Sequence, residues 1–177
     1  MPRIISGEYG GLVIKSPGYD LRPTSDKVKE YIFNVIRDWE NAVVADLFAG
    51  SGSLGFEALS RGASTVVFVD KHFDSIQTIH NTINRLHGHE IKDIHCYKSN
   101  ALTFCHRYPD NFDRILADPP YKLPLPDSFF QSIGSALKTG GLFILEFSIH
   151  EKSCIFPELK LVKEKYFGET GVRIYEK

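Results

Sequence analysis

The chain has 177 residues, with 21 Lys and Arg against 22 Asp and Glu, a formal net charge of −1. Its 42% apolar and 12% aromatic content is that of a globular chain rather than a disordered one, and the length fits a single domain over residues 1–177. The charge balance gives no global reason to expect a nucleic-acid partner, because domains that bind one are usually basic overall.

The start, Met1 to Gly7, has no apolar core of signal-peptide length, and no run approaches the roughly 20 apolar residues of a membrane span. Cys96, Cys105 and Cys154 are odd in number and widely spaced, which argues against a disulfide framework and for a reducing cytoplasm. Six of the seven histidines fall between His72 and His106, but His80, His87, His89 and His95 match no metal-ligand spacing, so no metal site is expected.

Along the chain, Arg3–Gly7 and Leu12–Lys15 flank Glu8-Tyr9-Gly10-Gly11 and read as a short hairpin, an extension over residues 1–20. Thr24 or Ser25 then caps a helix with Asp26 in its first turn and Val28, Tyr31, Ile32, Val35 and Ile36 as its apolar stripe. Ala42–Phe48 is a short apolar run that suggests a buried parallel strand. Glycines follow, then a helix near Ser53–Ser60 and a second buried strand at Thr65–Asp70. Apolar positions from Phe73 to Leu86 predict a helix of about four turns at ~3.6 residues each. Ile91–Lys98 and Arg114–Asp118 read as strands three and four, Ser128–Leu137 as a helix, and Gly141–Phe147 as strand five. Leu159–Tyr166 and Val172–Tyr175 form a terminal strand pair. Strands alternating with helices imply βαβ units, hence a mostly parallel sheet covered on both faces. Ligands in such sheets sit beyond the carboxyl ends of the strands. Asp46, Asp70 and Asp118 end strands one, two and four there.

The segment Asp46-Leu47-Phe48-Ala49-Gly50-Ser51-Gly52-Ser53-Leu54-Gly55 holds a literal G-x-G-x-x-G between strand and helix. Its glycines permit a tight turn and close approach of backbone to a ligand. On pattern alone this is a dinucleotide site, with Asp70 near the position of a ribose-binding carboxylate. Asp46 weighs against that, because a pyrophosphate seeks helix-terminal N–H groups and is repelled by a nearby carboxylate. A sulfonium ligand with an α-amino group, such as S-adenosylmethionine, is attracted by it instead. Asp70 then accepts from the ribose hydroxyls. Asn100-Ala101 follows strand three where adenine would lie, and Asn100 is either an adenine contact or a helix cap.

Asp118-Pro119-Pro120-Tyr121 carries the chemistry. The prolines fix the backbone, so the Asp118 carboxylate and the Pro119 carbonyl become rigid acceptors beside an aromatic face. A base exocyclic amine needs those parts. Two acceptors on its N–H groups turn the delocalised lone pair toward a methyl donor, and proximity with preorganised dipoles does the rest. Tyr121 supplies a stacking surface for a base taken out of its helix or loop.

These motifs resemble class I S-adenosylmethionine-dependent methyltransferases of the amino-methylating type. Arg3-Ile4-Ile5-Ser6-Gly7, Leu21-Arg22-Pro23-Thr24-Ser25-Asp26 with its continuation to Asn34, and Gly55-Phe56-Glu57-Ala58-Leu59-Ser60-Arg61-Gly62-Ala63 are similar to the bacterial RsmD family, 16S ribosomal RNA guanine-N2 methyltransferases. The tail after Phe147 matches loosely. The resemblance implies a Rossmann-like α/β domain with a seven-stranded sheet, an antiparallel final strand and a small N-terminal hairpin. It implies methylation of one guanine N2 in small-subunit ribosomal RNA, with S-adenosylhomocysteine as the other product. By motif position, Asp46, Phe48, Ala49, Gly50, Gly52, Asp70, Lys71, Asn100 and Ala101 become cofactor contacts, and Asp118, Pro119, Pro120 and Tyr121 the catalytic target-base site. Arg22, Thr24, Tyr121 and Lys122 are the expected RNA contacts, on a monomer acting on folded or protein-assembled RNA. The alternatives are an adenine-N6 or cytosine-N4 methyltransferase, which shares the Asp-Pro-Pro-Tyr chemistry, and a nicotinamide-dependent oxidoreductase, which leaves that tetrad unexplained.

Overall fold

The computed structural model describes residues 2–18, 24–86, 93–150 and 158–177. Its sheet has seven strands in the order β3-β2-β1-β4-β5-β7-β6. These are β1 (Val43–Leu47), β2 (Thr65–Asp70), β3 (Asp93–Lys98), β4 (Phe112–Ala117), β5 (Leu137–Ser148), β6 (Lys160–Phe167) and β7 (Thr170–Glu176). The first five run parallel to one another, while β7 runs antiparallel between β5 and β6. The helices are α1 (Asp26–Val35), α2 (Ser53–Ser60), α3 (Phe73–Ile83), α4 (Ala101–Phe104) and α5 (Asp127–Ala136). This is the α/β, Rossmann-like arrangement expected, with the antiparallel strand in place.

Alternation along the strands divides the core in two. Val44, Phe68, Leu116 and Ile144 face Ile32 and Phe33 of α1, Phe56 and Leu59 of α2, and Ile79 of α3. Ala45, Leu47, Ile115, Phe143 and Leu145 face Phe104 of α4 and Phe129 and Ile133 of α5. The central strands are therefore covered on both sides, which is why they read as continuous apolar runs.

The N-terminal hairpin is minimal. A single antiparallel bridge joins Arg3 and Val13, and the Ile4 N–H donates to Leu12 and that of Ile14 to Pro2. It docks on α2. The buried Glu57 carboxylate accepts from the Ile5 N–H at 2.6 Å, the Ser6 N–H at 3.2 Å and Arg61 Nε at 2.8 Å. The Ser60 hydroxyl donates to the Ser6 carbonyl and accepts from the Tyr9 N–H.

The helix at α1 starts as expected, with Ser25 as N-cap accepting from the Val28 N–H. Several boundaries differ. The strand expected from Ile91 is described from Asp93, since residues 87–92, including His87 and His89, lie outside the described residues, as do Arg22 and Cys154. The helix from Phe73 ends at Ile83 rather than Leu86, because Asn84, Arg85 and Leu86 tighten into turns bonded to His80, Thr82 and Ile83. Leu137 belongs to β5, not to the preceding helix. It pairs with Phe112, and the chain passes a register shift before the regular pairing resumes at Leu142. The Gly140–Gly141 turn within that stretch is tied to Lys177 by two backbone bonds.

Candidate active site

The strand order reverses between β1 and β4, and there the carboxyl ends of the strands open a cavity of about 550 Å³. Thr24, Asp46, Phe48, Ala49, Gly50, Asp70, Lys71, Asn100, Ala101, Asp118, Pro119, Pro120 and Tyr121 all line it. The sequence-selected residues are thus brought together from five separate stretches of chain. Gly52 and Lys122 are not on the lining. Gly52 instead forms the N-cap of α2 at φ +79, where a Cβ would crowd the Phe56 ring at 2.8 Å. Lys122 is exposed, and Leu123 takes the place on the wall.

The glycine loop is held by the carboxylates beneath it. Asp70 Oδ2 accepts from the Gly50 N–H and Oδ1 from the His72 N–H, each at 2.8 Å. Asp46 Oδ2 accepts from the Gly55 N–H at 2.8 Å. A Cβ at Gly55 would overlap the Phe68 ring, so this glycine lets α2 lie close on β2. Asp46 is 2% exposed. Burial pushes its carboxyl well above the ordinary range, with the Gly55 N–H opposing and the charges of Asp118 and Asp70 adding to the rise. Phe48 sits at φ +59, an uncommon conformation for a side-chain-bearing residue, with its ring edge-on to Phe129.

In the Asp118–Tyr121 segment, Pro119 is buried and Pro120 exposed. The Thr24 hydroxyl donates to Asp118 Oδ2 at 2.7 Å. The Tyr121 hydroxyl shares a short hydrogen bond with that of Thr170 at the start of β7. Asn100 caps α4, its Oδ1 accepting from the Leu102 N–H at 3.0 Å. The cap is therefore real, and Asn100 also stands on the cavity wall.

Sequence reading missed several residues here. Glu146 of β5, 5% exposed, is a fourth carboxylate on the wall. Ser16 and Pro17 close it from the N-terminal side. Lys29 is fully buried although it lies among helix residues whose charge reads as surface. Its ammonium donates to the Arg3 carbonyl and to Ser53 Oγ at 3.1 Å, and so joins hairpin, α1 and the cavity wall. Desolvation lowers its pKa, against the opposing pull of Glu57 and Asp26.

A family model described as conserved hypothetical protein 95 matches residues 2–176. YlbH of Bacillus subtilis is 37% identical, over 99% of this chain and 98% of that one. The ribosomal RNA small subunit methyltransferase D of Haemophilus influenzae is 34% identical, over 98% and 93%. Among solved structures, yhhF of Escherichia coli superposes with a TM-score of 0.87 at 28% identity, covering 99% of this chain and 97% of that one. The fold, the order of motifs and these matches agree that the chain belongs to the RsmD-like family of class I methyltransferases.

Proposed function

We propose that the protein transfers a methyl group from S-adenosylmethionine to the exocyclic N2 amine of a guanine in small-subunit ribosomal RNA. One observation carries this reading: the glycine loop with Asp46 and Asp70 and the Asp118-Pro119-Pro120-Tyr121 segment line one cavity together. The name of the Haemophilus influenzae relative supports the RNA.

The donor set fits a cationic ligand that carries a vicinal diol. Both Asp70 oxygens are anchored by backbone N–H groups, and each keeps lone-pair capacity for a hydroxyl. Asp46, poorly solvated and crowded by like charge, is relieved by a positive ligand group. When bound, S-adenosylmethionine supplies an electrophilic methyl on a sulfonium. Across the cavity, Tyr121 offers its ring to the base, and its hydroxyl bond to Thr170 anchors the tip of the ring. The Asp118 carboxylate, oriented by Thr24, and the Pro119 carbonyl accept from the two N–H bonds of the amine. That directs its lone pair toward the methyl. Asp118 need not remove a proton first, because the alkylated nitrogen is far more acidic and loses its proton after transfer. The residues act by orientation and by fixed dipoles in a water-poor site.

The test supplies labelled S-adenosylmethionine with unmethylated small-subunit RNA, with and without its proteins, followed by nucleoside analysis. N2-methylguanosine is the expected product. Label in N6-methyladenosine or N4-methylcytosine overturns the proposed target, and binding of NAD in place of S-adenosylmethionine overturns the reaction.

A further inference from the structure

The Asp-Pro-Pro-Tyr chemistry leaves base choice open, because guanine, adenine and cytosine each present an exocyclic amine to two acceptors. They differ at the neighbouring ring nitrogen. Guanine N1 carries a hydrogen and donates, whereas adenine N1 and cytosine N3 are bare acceptors. A fixed carboxylate beside the amine pocket therefore favours guanine and opposes the other two.

Glu146 occupies that place. The β4·β5 pairing ends with Ala117 opposite Leu145, so the next residues are neighbours: Asp118 leaves the end of β4, while Glu146 continues in β5 beside it. Strand alternation puts Glu146 on the sheet face of Ile144, the same face on which Asp118 follows Leu116. Both line the cavity, and Glu146 is 5% exposed, so its carboxylate is shielded from bulk water. The stacking ring is anchored from the neighbouring β5·β7 pair. Thr170, which holds the Tyr121 hydroxyl, lies opposite Ser148 of β5, and Val172 lies opposite Glu146.

We propose that Glu146 is the specificity-determining residue, accepting the ring N1–H of guanine while Asp118 and Pro119 hold the N2 amine. This rests on the reading of the cavity as a base-methylation site. The contact is a charge-assisted hydrogen bond in a water-poor pocket, and a base that lacks the donor leaves the carboxylate facing a lone pair. Discrimination on the order of 10- to 100-fold follows.

The experiment compares guanine with 2-aminopurine at the methylated nucleotide. 2-Aminopurine keeps the target amine but has a bare N1. The wild-type protein is expected to prefer guanine in kcat/KM by on the order of 10- to 100-fold. Glu146→Gln, whose amide donates to a bare N1 and accepts from N1–H, is expected to bring the ratio within a few-fold. The loss of O6 in the analogue is common to both enzymes, so a changed ratio belongs to residue 146. An E146Q that binds S-adenosylmethionine yet keeps the wild-type ratio, or methylates neither base, overturns the proposal. Should E146Q fail to bind the cofactor, the ratio is read on Glu146→Asp. A loss confined to guanine supports the proposal, and equal losses on both bases overturn it. Failure of the wild-type protein to methylate guanine at all overturns the parent reading instead, and the two failures are thereby separated.

Discussion

At Asp46 stability and ligand binding pull apart. Its carboxyl is raised by burial, and the neighbouring charges of Asp118 and Asp70 make ionisation harder still. A carboxyl whose folded pKa lies above its unfolded one binds its proton more tightly in the folded chain. Stability therefore falls as pH rises from the ordinary carboxylate range to the raised value, and stays level above it. Asp46→Asn keeps an acceptor for the Gly55 N–H and removes that cost. The variant should melt higher than wild type at pH 7, by about 2–4 °C for each kcal/mol relieved. The difference should vanish below about pH 3, where the wild-type side chain is neutral in both states. Cofactor affinity should fall at least about 10-fold, as expected for a lost charge-assisted contact. Thermal melts from about pH 3 to 8 and titration calorimetry check both halves, and a lower melting point at every pH would contradict the argument. At this scale the sequence was most legible where a residue ended a strand. Asp46, Asp70 and Asp118 stood out because each closes an apolar run. Glu146 did not, because Leu145 and Phe147 enclose it within a strand, and only the β4·β5 register shows that it reaches the cavity. Lys29 was hidden in the same way, since a helix position tells nothing of a hairpin carbonyl waiting above it.

Among the elements, the N-terminal hairpin has little internal structure, and its attachment to α2 does the holding. Gly7 is at φ +85, and a Cβ there would overlap the Ser60 carbonyl, the acceptor for the Glu8 N–H. Gly7→Ala must strain the backbone and lift the segment from Glu57 and Ser60. We expect a loss of more than about 1 kcal/mol, read as a lower melting temperature. Gly18→Ala, where nothing lies within 4 Å of the added Cβ and φ is not positive, should be neutral or slightly stabilising. Equal effects at the two positions would show that docking contributes nothing. Helix α2 and strand β2 fall on the expected residues because glycines bound one and an apolar run defines the other. Short α4 was not legible, since four residues carry no period and only the Asn100 cap marks them. The early part of β5 was missed because Lys138-Thr139-Gly140-Gly141 reads as a turn, and its order comes from Phe112 and Lys177, distant in sequence.

Across the whole molecule, the net charge of −1 conceals an uneven distribution. Residues 1–37 hold six basic and four acidic residues, 38–149 hold nine and thirteen, and 150–177 hold six and five. The middle stretch is acidic where the cavity needs it, with Asp46, Asp70, Asp118 and Glu146 converging on a site proposed to take a cationic ligand and amine donors. The basic side chains are dispersed. Lys15 and Lys27 are exposed near the N-terminal side, and Lys160, Lys163 and Lys165 along the edge strand β6, where lysines also discourage edge-to-edge pairing. No single strong phosphate track is formed among the described residues, so few counterions are displaced on binding a polyanion. Each phosphate neutralised contributes about −0.7 to −0.9 to the slope of log K against log salt. Binding to protein-free RNA should accordingly be weak, with a slope shallower than about −6. Fluorescence titrations between 50 and 200 mM salt, roughly the range where such slopes are read, provide the measurement. A shallow slope on naked RNA with tighter binding to the assembled subunit would place recognition in folded shape and in bound proteins. A slope of about −6 or steeper on naked RNA would place it in the phosphate backbone and contradict the charge argument.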